Sequence, residues 1–351
     1  MGPPVTGAGG APSALRELLA SRVGEGRAVE LLGGLDLHPD VLVPPADVIG
    51  RSVLAQALGI VLLDDLLDRV PSGAGYVADR WAGGGTVFLD HGAVRTVEGV
   101  DCGALPPGQD SVTRALSALG YEHRSNYPLD RLGMTGRSWC HRDLPASIPQ
   151  YFVSELHAER FSEPFREAAG RVLGTSVDPV GEQAQGDLDR LRTSGALPPD
   201  RAIALLPVLQ SCFARQHDDP SEADYEILLA ESAEMAWIAT EGTVFNHATD
   251  RVGDVVAVAR AERAAGRPVK DEVETSSTGR ILQTAHRAAM VERTFRGAEG
   301  RTVHRQVPGS FFEFITRRDL PDGSGPDLAF DAANAQQIFA MTRSPRPDSS
   351  R

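Results

Sequence analysis

The chain of 351 residues is 41% hydrophobic, so it can bury a full core as one large domain or as two fused modules. Its formal net charge is −13, with 35 basic and 48 acidic residues and no run of five Lys or Arg, which argues against nucleic acid as a partner. No apolar run reaches the roughly 18 residues of a membrane span and no signal-peptide pattern opens the chain, so we expect a cytoplasmic protein with no membrane partner.

The first part of the chain is expected to be helical. Residues 1–13 are rich in Gly, Pro and Ala, a composition typical of a loose tail. Apolar residues recur at helical spacing over 14–32 and 46–70, and a Gly- and Ser-containing segment over 71–75 follows them. We therefore assign residues 1–85 to a tail and helical extension.

Residues 86–158 are predicted to form a first module of the order βαβββ. A strand over TVFLDHGAVR (86–95) precedes a short helix over 111–119, with Ser111 as its expected cap. Three further segments, near 121–127, 137–142 and 150–156, have the composition of strands.

The second half repeats this order after an interruption. Residues 159–240 carry apolar stripes at helical spacing and predict a helical insert that packs against the sheet. A second βαβββ module follows over 241–343, with a strand around 281–293, a last strand over FFEFITRR (311–318) and a closing helix over 330–339. Residues 344–351 are expected to be a disordered tail.

An internal repeat supports this division. TVFLDHGAVR (86–95) and TVFNHATDR (243–251) each place a histidine four residues before an arginine, and HRDLPASIPQYFVSEL (141–156) resembles HRQVPGSFFEFIT (304–316). Because each copy of a repeat is one supersecondary unit, we expect an α+β fold of two paired βαβββ modules around a shared face. Alignment of the closing strands on their aromatic pairs places Val153 opposite Glu313.

Two repeated histidines and one carboxylate predict a metal centre. His91, His247 and Glu313 each lie on a predicted strand, and two imidazoles with one carboxylate are the ligands of a facial Fe(II) triad. Such a set leaves about three positions of an octahedral ion open, unlike a structural site. Zinc is the alternative metal, since the same ligand types suit it. Glu313 stands among phenylalanines, where a bare anion would be costly to bury without a cation.

Two further side chains are candidates for substrate binding. Arg95 lies an even number of strand residues from His91 and so points to the same face. It fits bidentate capture of a substrate carboxylate, and a surface salt bridge is the alternative. Gln283, in ILQTAHRA, could offer an amide to a bound substrate.

The motifs HGAVR, YPLDRLGMTGRSW, FVSELH, FNHATDRV and FFEFITRR resemble the iron-dependent 2-oxoadipate dioxygenase/decarboxylase (2-hydroxyglutarate synthase) family, of the vicinal-oxygen-chelate fold, over residues 86–339. The resemblance implies that His91, His247 and Glu313 hold iron and that Arg95 binds the distal carboxylate of the substrate. It assigns no such role to Arg251 and Arg317, which we interpret as structural ion-pair residues.

The closing helix resembles the lid helix of the related 4-hydroxyphenylpyruvate dioxygenases. In the 2-oxoadipate family the positions matching Ala333 and Asn334 are commonly a valine and a serine that shape the pocket, so the substrate of this chain could differ.

The resemblance thus implies an Fe(2+)-dependent dioxygenase that takes a 2-oxo acid and O2, and that converts 2-oxoadipate to 2-hydroxyglutarate and CO2. Two alternatives stay open. One is the same chemistry on a different 2-oxo acid or amino acid in a specialised pathway, and the other is a non-catalytic relative that binds a metal or small molecule.

Overall fold

One eight-stranded sheet carries every predicted site residue that the structure describes. The structure is a computed structural model that describes residues 12–331. In that range the strands are β1 (Ile49–Gly50), β2 (Leu89–Glu98), β3 (Tyr121–Leu129), β4 (Met134–His141), β5 (Gln150–His157), β6 (Ala196–Leu197), β7 (His247–Arg251), β8 (Glu274–Thr275), β9 (Ile281–Ala285), β10 (Met290–Arg296), β11 (Thr302–Pro308) and β12 (Phe311–Arg317).

Helices pack against this sheet. Most of them come before its first half in the sequence or lie between its two halves. They are α1 (Ala14–Val23), α2 (Glu25–Gly34), α3 (Arg51–Arg69), α4 (Pro71–Ala82), α5 (Asp110–Ala118), α6 (Glu163–Leu173), α7 (Glu182–Ser194), α8 (Pro199–Ser211), α9 (Glu222–Glu231), α10 (Ala233–Glu241) and α11 (Val255–Ala264). None of the helices in the described part of the chain is long and apolar enough to cross a membrane.

The sheet is built from two halves of the same topology. Its strands follow the order β3-β4-β5-β2-β7-β12-β9-β8, and the halves meet where β2 pairs antiparallel with β7. In each half the first strand pairs in parallel with the last, and one helix, α5 or α11, follows the first strand. The predicted α+β fold of two paired βαβββ modules is therefore confirmed. The domain limits drawn from the sequence remain a prediction.

The two faces of the sheet pack against different helices. On β2, Val94 packs in a large core with the N-terminal helices, whereas Ala93 and Val97 pack in a second core with α6 and α10. Because side chains alternate along a strand, His91 and Arg95 lie on the second face, which the helices between the modules cover.

Residues 71–82, which include the Gly- and Ser-containing segment at 71–75, form the helix α4. Pro71 stands in the first turn, where backbone N–H groups have no partner within the helix. The missing N–H of proline therefore costs no hydrogen bond there. Gly73 lies against the sheet so closely that an added Cβ would stand 3.0 Å from Phe312. Gly73 thus permits close contact between helix and sheet.

The helix α5 begins at Asp110, and Ser111 is not its cap. The Ser111 hydroxyl donates to the carbonyl oxygen of Gly108 at 2.8 Å, on the N-terminal side of the helix. The expected helix is present, but its start is one residue earlier than predicted.

A hairpin interrupts the second module. The single strand expected around 281–293 is two strands, and the second of them, β10, leaves the sheet to pair with β11. The hairpin packs on α9 and α10 through Phe295 and Val307, which contact Tyr225 and Ala236. His304 therefore lies on the hairpin, so the similarity between 141–156 and 304–316 does not reflect equivalent positions along its whole length.

The alignment of the closing strands was wrong by one residue. His91 pairs with Gln150 across the parallel strands of the first half, and His247 pairs with Phe311 in the second. Counting two residues on from each partner makes Phe152, and not Val153, the equivalent of Glu313. Val153 packs in the core on the opposite face of the sheet.

Acid should destabilise the fold through His141, a fully buried side chain at the end of β4. Its Nε2–H donates to the Leu119 carbonyl oxygen at 2.9 Å, and its Nδ1 accepts from the Asp143 N–H at 3.2 Å, a pattern that needs the neutral ring. Burial lowers the pKa of His141 to about 4. Since the unfolded chain takes up this proton near pH 6.5, stability is present above about pH 6.5 and falls as the pH drops toward 4.

Urea unfolding of the metal-free protein at about pH 7.5 and about pH 5 measures this loss. The variant His141→Gln should lose less stability between the two values than the wild type does. An equal loss in both proteins would contradict the assignment.

Candidate metal centre

Three buried side chains converge where the two halves of the sheet meet. His91 on β2, His247 on β7 and Glu313 on β12 are 2%, 4% and 1% exposed. The Nε2 atoms of the two histidines are 3.4 Å apart, and Glu313 Oε2 lies 3.5 Å from His91 Nε2 and 3.1 Å from His247 Nε2. The structure thus brings together the three residues predicted from the sequence, as a group that could hold a metal ion.

The spacing of these atoms fits three ligands of one ion. Ligands about 2.1 Å from one ion are roughly 3.0 Å apart as neighbours in an octahedron and roughly 3.4 Å apart in a tetrahedron. The three separations of 3.1 to 3.5 Å therefore fit neighbouring ligands of a single ion. An ion held in this way would keep its remaining positions for other ligands.

The chemistry of the group also fits a cation. Glu313 Oε1 is buried and has no hydrogen-bond partner among the described residues. Buried carboxylate oxygens without a partner are rare, because desolvation is costly. Phe311, two residues before Glu313 on the same face of β12, is fully buried and offers no polar group. A divalent ion would supply the interaction that the protein does not.

Asp90 orients His91 from its far side. The strand β2 has a bulge between Leu89 and His91, so Asp90 is the extra residue and turns its carboxylate inward. Its Oδ1 lies 2.9 Å from His91 Nδ1, which leaves Nε2 directed toward Glu313. A carboxylate behind a ligating histidine fixes the ring and its tautomer.

Two arginines balance the charge of Asp90. Arg317 donates to it through Nε and Nη2 at 2.9 to 3.0 Å, and Arg251 donates through Nε at 2.5 Å. These arginines hold the pKa of Asp90 well below its ordinary value, although full burial acts in the opposite direction. Arg251 and Arg317 therefore form ion pairs, and these pairs hold the carboxylate that contacts the candidate ligand His91.

A threonine links two of the candidate ligands. The Thr249 hydroxyl donates to Glu313 Oε2 at 3.0 Å and lies 3.2 Å from His91 Nε2. It stands two residues after His247 on the same strand and the same face.

The pKa values of the two histidines are shifted in opposite directions. Burial disfavours the charged form of both, but hydrogen bonds with Asp90 and Glu313 raise the pKa of His91 above its ordinary value. For His247, burial outweighs the nearby Glu313 and lowers the pKa. The two histidines also lower the pKa of Glu313 against the effect of burial. A metal ion at this site would have to compete with the proton on His91, so its affinity would fall in acid.

Aromatic rings pack against the two candidate histidine ligands. The ring of Phe330 lies 4.9 Å from that of His91, edge to face, and 5.0 Å from that of Phe152. Tyr127 approaches both phenylalanines, and its hydroxyl accepts the Phe330 N–H at 3.1 Å. Phe311 stacks on His247 at 4.9 Å. The walls beside the candidate ligands are therefore apolar.

Arg95 lies four residues along β2 from His91, fully buried and on the same face. Its guanidinium carbon stands 4.7 Å from the ring centre of Trp237 on α10. Burial lowers the pKa of Arg95 to about 10, and the carboxylate of Glu234 partly opposes this effect. Arg95 is thus a buried cation at neutral pH and not a surface ion-pair residue.

The remaining predicted residues differ in what the structure says of them. Gln283 on β9 is 5% exposed and lies across from Ile315, on the face that carries Glu313. Its Nε2 donates to Glu274 Oε2 at 3.3 Å. Ala333 and Asn334 lie outside the described range. The closing helix expected from residue 330 and both tails extend beyond that range.

A second group of possible ligands is satisfied by the protein. Glu98, Glu155 and His157 lie at the far ends of β2 and β5. His157 bonds to Glu98 and to the Thr135 hydroxyl, and Glu155 accepts from Arg137 and from a backbone N–H. These hydrogen bonds occupy the atoms that a metal would need.

Sequence reasoning missed Asp90, Thr249, Phe330 and Trp237. Asp90 directly precedes His91 and Thr249 follows His247 at even spacing, so both were open to detection by position. Trp237 lies on a different element from Arg95 and carries no local signal.

The fold and the centre define a class: two paired βαβββ modules with two histidines and one carboxylate at their junction. Residues 83–341 match the family model of 2-oxoadipate dioxygenase/decarboxylase, and the chain belongs to this family.

Solved structures share this fold. A glyoxalase-superfamily protein from Ralstonia eutropha JMP134 is 52% identical, with a TM-score of 0.86 and with 91% of this chain and 98% of that chain covered. Hydroxyglutarate synthase from Oryza sativa, solved in complex with 2-oxoadipate, is 19% identical, with a TM-score of 0.64 over 86% of this chain and 97% of that one. The Pseudomonas putida hydroxyglutarate synthase complexed with 2-oxoadipate is 20% identical, with a TM-score of 0.59 over 85% and 74%. Among curated proteins, none matches this chain.

Removal of the Asp90 charge should weaken metal binding. Asp90→Asn leaves Arg251 and Arg317 without their shared anion and weakens the support of His91, so metal affinity should fall roughly 10- to 100-fold. Competition titration with a chelator measures the affinity. The matched control is Asp187→Asn, which disrupts a buried pair with Arg201 away from the centre and should leave metal affinity unchanged. Equal affinities for Asp90→Asn and wild type would show that Asp90 does not orient the ligand.

Proposed function

We propose that this chain is an Fe(II)-dependent dioxygenase that converts 2-oxoadipate and O2 to 2-hydroxyglutarate and CO2. The bond between C1 and C2 breaks and releases CO2. One oxygen atom completes the new carboxylate at C2, and the other becomes the hydroxyl on the adjacent carbon. The substrate supplies all four electrons that O2 takes up, so no external reductant enters the balance. We place this reaction in the cytoplasm.

The observation that carries the proposal is the position of a buried cation beside the facial triad. His91, His247 and Glu313 would hold the iron through Nε2, Nε2 and a carboxylate oxygen. Iron supplies the activation of O2 and the chelation of the 2-oxo acid. Arg95, on the same face of the same strand, would bind the distal carboxylate through its planar fork.

Other residues of the chain would orient the substrate and keep the site dry. Phe152, Phe311 and Phe330 form apolar walls that exclude water from the reacting carbons. Gln283 would offer its amide to the substrate, from the face of the second half that carries Glu313. Ala333 and Asn334 would shape the pocket, by resemblance to the family, and their departure from valine and serine leaves a different 2-oxo acid as the alternative substrate.

Oxygen uptake by protein loaded anaerobically with Fe(II) tests the reaction, with 2-oxoadipate compared against other 2-oxo acids. Uptake should be stoichiometric with CO2 release, and both atoms of oxygen-18-labelled O2 should appear in the hydroxy acid. Uptake without decarboxylation, or activity with Zn(II) in place of iron, would reject the proposal.

Loss of Glu313 should abolish metal binding and activity together. Glu313→Ala leaves two imidazoles, an incomplete facial set that binds weakly. Iron content after gel filtration and oxygen uptake are the two measurements. Stoichiometric iron in Glu313→Ala would point to another carboxylate as the ligand.

Loss of Arg95 should affect the substrate and not the metal. Arg95→Ala should cost about 2 to 5 kcal/mol in kcat/KM for 2-oxoadipate, the range for truncation of one partner of a buried charge pair. The iron content should stay at the wild-type value. Discrimination between 2-oxoadipate and 2-oxohexanoate, a monocarboxylic acid of equal length, should narrow. Unchanged discrimination would show that Arg95 does not bind the distal carboxylate.

A further inference from the structure

We propose that Trp237 is a positioning residue that sets the location of Arg95, so that the helix α10 between the two modules determines which length of dicarboxylic 2-oxo acid the site accepts. This inference rests on the proposed function. It deepens that function by assigning the selection of chain length to an element that carries no metal ligand.

The first support is the contact between the two side chains. Arg95 is fully buried, Trp237 is 3% exposed, and the guanidinium carbon lies 4.7 Å from the centre of the indole ring. A cation over an indole is attracted to the ring face, most strongly where both are shielded from water. The ring therefore restrains the guanidinium carbon, and with it the place at which the fork of N–H groups can receive a carboxylate.

The second support is the anchor of the indole. Trp237 Nε1 donates to the carbonyl oxygen of Gly309 at 3.1 Å, and Gly309 lies two residues before the strand β12. Ser310 continues this anchor, since its hydroxyl donates to the Phe245 carbonyl oxygen at 2.7 Å, just before β7. The segment that starts the strand of Glu313 thus also fixes the ring beneath Arg95.

The third support is the hairpin of β10 and β11, which holds α10 in place. Arg293 on β10 donates to both carboxylate oxygens of Glu241 at 2.7 Å. Ala236, next to Trp237, packs against Phe295 and Val307 of the hairpin. Since the hairpin contributes nothing to the eight-stranded sheet, its contacts with α10 give a physical reason for its presence.

These contacts bear on substrate length because the two ends of the substrate would be held by different elements. One end lies at His91, His247 and Glu313, and the other lies at Arg95, four residues or roughly 13 Å of backbone along β2 from His91. The strand fixes the backbone of Arg95, and the ring of Trp237, together with the nearby carboxylate of Glu234, restricts its long side chain. A dicarboxylate of only one length then spans the gap well.

The experiment compares Trp237→Phe and Trp237→Leu with wild type on 2-oxoglutarate, 2-oxoadipate and 2-oxopimelate. Trp237→Leu removes the ring, and the KM for 2-oxoadipate should rise roughly 10- to 30-fold while kcat changes little. Trp237→Phe keeps a weaker ring face but loses the bond to Gly309, so the rise should be roughly threefold. In both variants the preference among the three chain lengths should flatten. Trp139→Phe is the matched control, since Trp139 packs with the core on the opposite face, and it should keep the wild-type values.

A binding measurement on metal-free protein separates this inference from the proposed function. The difference in emission between wild type and Trp237→Phe isolates the indole beside Arg95, and glutarate or 2-oxoadipate should change it while hexanoate should not. If the wild type oxidises no 2-oxo acid but this signal responds to dicarboxylates, the proposed reaction is wrong and the positioning role of Trp237 stands. If the wild type is active, but the variants keep its chain-length preference and the dicarboxylates leave the signal unchanged, the inference is overturned and the reaction stands.

Discussion

The balance of charge at one buried carboxylate is the constraint on which the rest of the structure depends. Glu313 is 1% exposed, and one of its oxygens has no hydrogen-bond partner among the described residues. In an apolar surrounding such a group is tolerated only beside a cation or a protonated partner. The antiparallel pairing of β2 with β7, and the parallel pairing of β7 with β12, bring two imidazoles to this carboxylate. The junction of the two modules thus serves as the site of charge compensation.

The two modules share a topology but only one of them supplies a carboxylate. Phe152 holds the position in the first half that Glu313 holds in the second, and its ring contacts Phe330 beside His91. This difference makes one side of the centre polar and the other apolar. A substrate that chelates a metal through its polar end and extends an aliphatic chain would meet both surfaces. The presence of Phe152 in place of a second carboxylate therefore distinguishes an apolar end of the site from a polar end.

Sequence patterns predicted what depends on local repetition and missed what depends on partners distant in the chain. His91 and His247 follow the same Thr-Val-Phe run, so their equivalence was readable without coordinates. The bulge at Asp90 was not readable from the sequence, because a bulge is defined by the pairing with the opposite strand. Both arginines that balance the charge of Asp90 lie more than 150 residues away in the chain. The one-residue error at Val153 has a similar origin. The sequence alignment matched the two aromatic pairs. The register of the strands is instead set by the face of the sheet on which each residue is buried.

The two segments that break the repeat, the helical insert and the hairpin, contact each other and not only the sheet. They meet at α10, through the pair of Glu241 with Arg293 and the apolar cluster around Phe295. From there Trp237 reaches Arg95, while the candidate metal ligands lie on the sheet. A substitution of Trp237 would therefore act on the guanidinium directly and on Glu313 only through Gly309. Eight of the nine residues of α10 are buried although the helix adds no strand to the eight-stranded sheet, so this burial serves the contacts of α10 with the hairpin and with Arg95.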